Sequence, residues 1–113
     1  MSTNVYCCLT VIGTSEEVKE AIQFIINVNN KKPESTRMAT DLRLDEKDSR
    51  KVHFCAKCDT PHKDLKEFSI QFPNVKFSNE SWFTSREDSV SINVWQCGEL
   101  IESYGFNYRL RLP

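Results

Sequence analysis

The stretch HFCAKCDTPHKDL, residues 53–65, sets Cys55 and Cys58 in a CxxC frame between His53 and His62. Those residue types at that spacing suit two chemistries, tetrahedral zinc ligation and dithiol exchange. For zinc, Cys55, Cys58 and His62 could supply three ligands, with Cys7 or Cys8 as the fourth. Three features oppose it. AKCDT has no glycine or proline to tighten a knuckle, strand alternation turns Cys55 away from Phe54 and Ala56, and no second CxxC or HxxxH follows. A redox pair needs the CxxC at a helix N-terminus, where the dipole lowers the thiol pKa. Cys58 stands just before a helical pattern, but Cys55 falls earlier, within a strand. The expectation is a strand-to-helix junction with incidental thiols, no bound metal and no cofactor. His53 is then an exposed strand residue and His62 a first-turn helix residue.

The rest of the chain offers no assembled reaction. There is no GxSxG, no HExxH and, with only 3 glycines, no phosphate-cradling loop, so an enzyme is not expected. Fifteen basic against 16 acidic side chains leave a formal charge of −1, which excludes a global cationic field for nucleic acid or anionic membrane. No apolar run approaches the ~20 residues of a membrane span. The opening MSTNVYCCLTVIG has neither a basic n-region nor a long apolar h-region, so a cytosolic protein with its 5 cysteines reduced is expected.

The elements that must position these residues are legible from periodicity. NVYCCLTVIG alternates Val5, Cys7, Leu9 and Val11 on one strand face and stops at Gly13. Thr14 with Glu17 forms a capping-box pattern ahead of Val18, Ala21, Ile22 and Ile25 at helical spacing. NNKKPESTR reads as a loop, MATDLRLDE as a short strand, and KVHFCAK as a strand with Val52, Phe54 and Ala56 inward. Asp59 or Thr60 and Pro61 start a second helix along Leu65, Phe68 and Phe72, which Pro73 ends. NVKFSNESWF and SVSINVWQCG form a hairpin around TSRED, and YGFNYRLRLP alternates as a final strand. In the second hairpin strand Val90, Ile92 and Val94 are taken as the core stripe, which sends Ser91, Asn93 and Trp95 outward. One domain, residues 1–113, follows, of α+β class. The simplest arrangement is a ferredoxin-like sandwich, two helices on one face of a mostly antiparallel sheet, extended by a C-terminal hairpin.

Candidate partner-binding residues are exposed aromatics and arginines. Trp82, Phe83 and Arg86 cluster near the hairpin turn, while Trp95, Arg109 and Arg111 alternate onto the open sheet face, where Tyr6 joins them in a base-stacking reading only. Such a face could also stack bases or hold a nucleotide ligand, although no RNP-type segment is present.

NVYCCLTVIGTSEEV resembles the start of the YubB-type ferredoxin-like family of small phage, plasmid and prophage proteins, through Asn4, Cys7, Leu9, Val11 and Gly13, with Tyr6 where tryptophan is usual. HFCAKCDTPHKDLKEFSIQFPNVKF is similar to that family's strand and helix block at Phe54, Pro61, Phe72, Pro73 and Val75; Ala56 replaces a threonine and Cys58 a tryptophan. The resemblance implies no catalytic residues. It implies a mobile-element protein in a bacterial cytoplasm that acts by binding a host or defence-system protein, as an inhibitor of the anti-CRISPR or anti-restriction type. Nucleic-acid or nucleotide binding by the sheet face is the alternative, and a small zinc protein a second one. No membrane partner is expected, and the oligomeric state is left open.

Overall fold

A computed structural model describes residues 4–33, 39–57, 61–83 and 89–107. The order is β1 (Asn4–Ile12), α1 (Ser15–Lys31), β2 (Thr40–Leu44), β3 (Lys51–Lys57), α2 (His62–Gln71), β4 (Lys76–Phe83), β5 (Ser89–Gln96) and β6 (Glu99–Asn107). The strands form one six-stranded sheet in the order β2-β3-β1-β4-β5-β6, antiparallel at every pairing.

Local chemistry explains the elements. At the start of α1 the Glu17 N–H donates to Thr14 Oγ1 at 3.3 Å, and the Thr14 N–H donates back to Glu17 Oε1 at 3.1 Å. This reciprocal cap satisfies two donors that a helix start leaves orphaned. Val18, Ala21, Ile22 and Ile25 are buried, as their spacing predicts. In α2, Leu65 and Phe68 are buried, and the helix closes with the Phe72 N–H on the Phe68 carbonyl, just before Pro73. Pro61 is its N-cap and supplies no side-chain bond; Asp59 and Thr60 lie outside the described residues. The helices meet where Phe24 sets its ring edge-on to Phe68 and Phe72, at 6.0 and 5.4 Å, and again where Lys32 reaches Asp64 at 3.3 Å.

Those helical residues join one buried cluster with Val5, Cys7, Leu9 and Val11 of β1, Val52, Phe54 and Ala56 of β3, Phe77 of β4 and Trp95 of β5. The cluster does not include Tyr6, Cys8, Thr10 or Ile12, which the pleat turns to the other side. β5 reaches β6 through a two-residue turn, Cys97 (φ 53°) and Gly98 (φ 77°), the left-handed pair that matches hairpin twist. Gly98 is required twice over. Its backbone is left-handed, and a Cβ there would sit 2.9 Å from Ile70 Cγ1 of α2.

The alternation expected for β5 is reversed. Backbone pairing sets Ser91 opposite Ser81, Asn93 opposite Asn79 and Trp95 opposite Phe77, and those β4 residues face Cys7, Leu9 and Val11 in turn. Trp95 is therefore a core residue, 8 % exposed, with its ring centroid 5.8 Å from that of His62. Val90 and Val94 point to the other side, outside the main cluster, yet are only 2 % and 6 % exposed. Hydrophobic alternation misleads here because the inner surface of β4 and β5 is itself polar. Asn79 donates to Ser81 Oγ at 3.0 Å, Asn93 donates to Ser91 Oγ at 3.0 Å and Ser103 donates to Asn93 Oδ1 at 2.7 Å, so much of this surface is satisfied internally.

Candidate functional site

The sheet face that the main cluster does not use carries the functional candidates. Register places Tyr6 between Cys55 and Trp82, and Trp82 next to Val90 and then Phe106. The adjacent row runs Arg43, His53, Cys8, Glu80, Ile92, Tyr104. Tyr6 is 37 % exposed and Trp82 half-buried, and the register makes them neighbours on one surface.

At one end of this face three side chains form a chain of hydrogen bonds. Tyr6 Oη lies 2.9 Å from His53 Nδ1, and His53 Nε2 lies 2.7 Å from Asp45 Oδ2. The second Asp45 oxygen accepts from the backbone N–H groups of Lys47 and Asp48, at 2.8 and 3.0 Å. The His53 contact, then those two N–H bonds, hold the Asp45 carboxyl down at about 2. A carboxylate so acidic only accepts, so Nε2 carries the proton, and in the neutral imidazole Nδ1 accepts from the Tyr6 hydroxyl. In that neutral form the Tyr6 hydroxyl points at Nδ1 and its oxygen can still accept from a donor outside. A cleft of about 460 Å³ opens beside the three, also lined by Arg43, Glu46 and Lys47.

Each member has a local cause. β1 turns Tyr6 outward because Val5 and Cys7 turn inward, and β3 does the same for His53 through Val52 and Phe54. Asp45 follows the last residue of β2, where its side chain ties the turn into β3. Asp48 holds a similar turn bond, and its carboxyl is also drawn down to about 2, first by the Arg50 side chain.

Asp45 is more acidic folded than as a free side chain at ~4, so its contribution is complete above that value and is lost as pH falls through about 2. Asp45→Asn is expected to lower the melting temperature at pH 6 and to leave it nearly unchanged at pH 2, narrowing the acid loss that wild type shows. A parallel drop for both proteins between pH 4 and 2 would count against this.

The expected site residues separate clearly. Trp82 belongs to the outer face. Trp95 does not; the β5 register puts it in the core. Arg86, Arg109, Arg111 and the Phe83 side chain lie outside the described residues. His53 is not the exposed residue its strand position suggested but half-buried between Tyr6 and Asp45. Its outward phase was readable in KVHFCAK; its meeting with Tyr6, 47 positions away, depends on the β1–β3 register.

Among the described residues no three His, Cys, Asp or Glu side chains converge as metal ligands; Cys58 is outside them. Cys7 and Cys55 sit in opposite phases of the pleat, Cys7 within the core. Burial pushes the Cys7 and Cys8 thiols up, away from the reactive thiolate. No protein-family model, curated protein or solved structure matches the chain.

Proposed function

We propose that this chain is a protein-binding module whose outer sheet face, centred on Tyr6 and Trp82, docks a folded protein. The observation that carries it is the placement of Tyr6 and Trp82 as register neighbours on one face, with Arg43 lining the cleft at the Tyr6 end and the Tyr6 hydroxyl hydrogen-bonded to His53, which in turn meets Asp45. Tyrosine, tryptophan and arginine are the residues most enriched among binding hot spots. Fixing a ring and its hydroxyl before contact reduces the ordering cost of association.

The finer architecture in this proposal is ferredoxin-like, supported by the antiparallel order β2-β3-β1-β4 with a helix after β1 and another after β3. In the mobile-element setting that the YubB-type resemblance implies, the docked protein is a host or defence-system component, inhibited by occupation rather than by chemistry.

Base stacking on the same rings is the second reading. Charge favours protein over polynucleotide, because Arg43, Lys51 and Lys76 on this face alternate with Glu80 and Glu102 rather than forming a basic track.

The test compares wild type with a Tyr6→Ala/Trp82→Ala double variant, each immobilised in the same bacterial lysate. Wild type is expected to retain a stoichiometric protein, and the variant to lose it with an unchanged circular dichroism spectrum. With the purified partner, each single truncation is expected to weaken binding ~30-fold or more, the scale of a hot-spot residue. Equal retention by both proteins overturns the reading. Retention of a single-stranded oligonucleotide, with affinity falling steeply as salt rises, replaces it with the second one.

A further inference from the structure

The two edges of the sheet differ in how they are guarded. β2 is five residues long, broken by a register shift at Thr40/Arg43 with Asp41 at φ 55°, and it carries Asp41 and Arg43. Short length, a kink and charge are the ordinary protections of a free edge. β6 is nine residues long and contains no lysine, arginine or proline. Every residue from Glu99 to Gly105 is exposed, including Leu100 and Ile101 at 43 % and Tyr104 at 54 %, so the edge is uncovered there. Its only irregularity is the extra residue Ile101, where the pairing with β5 shifts; Glu102–Asn107 runs in unbroken register.

We propose that β6 pairs with β6 of a second copy, antiparallel and two-fold symmetric, with Tyr104 opposite Tyr104 on the axis. An antiparallel strand is self-complementary under such an axis, and the outward N–H and C=O groups of one copy meet those of the other. Charge and regularity select the register. Centring on Glu102 would set two carboxylates face to face, which is destabilising. Centring on Ser103 would bring the bulged Ile101 into the ladder opposite Gly105. Centring on Gly105 would leave no side chain at the axis. Centring on Tyr104 uses only the regular segment, places Glu102 opposite Phe106, and sets two aromatic residues across the axis. Tyr104 lies in the Arg43–His53 row of the outer face, so pairing joins the outer faces of two chains into one surface.

A ladder of this length buries less than the ~1,000 Å² of a firm interface. A dimer in rapid exchange with monomer is therefore expected.

Sedimentation velocity across a concentration series tests the proposal. The sedimentation coefficient of wild type is expected to rise toward that of twice the chain mass as concentration increases, while Tyr104→Lys, at an exposed position, stays monomeric with an unchanged circular dichroism spectrum. Under mild oxidation Tyr104→Cys is expected to form a cross-linked dimer that wild type, with its own exposed Cys97, does not. A wild type that stays monomeric up to millimolar concentration overturns the proposal, as does a dimer that Tyr104→Lys leaves intact. Failure of Tyr104→Cys to cross-link overturns the register. None of these outcomes depends on a docked partner.

Discussion

Phe54→Ala is expected to lower the free energy of unfolding by ~3–5 kcal/mol, the cost of emptying a large buried aromatic site. Phe54 is fully buried and belongs to the cluster that joins both helices to β1, β3 and β4. Its register partner Cys7 is equally buried, and neither is at an edge from which the surroundings can collapse inward. Domains of this size have only ~5–15 kcal/mol in total, so the loss takes a large share. The effect reaches the site as well. Phe54 pins the pleat of β3, and that pleat aims His53 at Tyr6. Urea titration should show an earlier midpoint with a similar slope, and a change under ~1 kcal/mol would mean that this side chain is not at the centre of the core.

Asn29→Ala is expected to cost ~2–3 kcal/mol, far more than an ordinary helix substitution. Asn29 sits near the end of α1, 5 % exposed. Its Nδ2 donates to the Ala39 carbonyl and its Oδ1 accepts from the Ala39 N–H, both at 3.2 Å. Ala39 is buried too, so alanine at position 29 leaves a backbone donor and acceptor unpaired away from water. Unpaired buried groups cost their full desolvation, ~1–3 kcal/mol each at most. The amide clamps the entry to β2, which carries Arg43 and leads to Asp45. Loss of stability in Asn29→Ala should therefore come with weaker hydrogen-exchange protection in β2 before the rest of the sheet. Asn29→Asp retains the acceptor and loses the donor, and an intermediate loss is expected for it. A neutral Asn29→Ala would show that water replaces the clamp freely.

The helices were legible because their signals are local. Thr14 and Glu17 bond each other within one turn, and Val18, Ala21, Ile22 and Ile25 occupy one stripe whatever they pack on. Strand β1 was legible for the same reason, since Val5, Cys7, Leu9 and Val11 are all apolar and all buried. β5 was not. Its apolar triad and its tryptophan compete for the same interior, and a side-chain period of two allows either phase. Hydrogen bonding to β4 decided between them, setting Trp95 beside Phe77 and lining the rest of the inner surface with Asn79, Ser81, Ser91 and Asn93.

The same division runs through the candidate site. Sequence by itself determined the α+β class, the α1 cap and the outward phase of Tyr6 and of His53, because each depends on residues a few positions apart. It did not bring Tyr6, His53 and Asp45 together, move Trp95 from surface to core, or leave β6 as the bare edge. Those were decided by strand order and register, which depend on backbone pairing between segments far apart in the chain, as between Cys7 and Ser81, 74 positions away. Neither composition nor periodicity carries that information, since shifting a strand by a single residue exchanges its two faces without changing a letter of it.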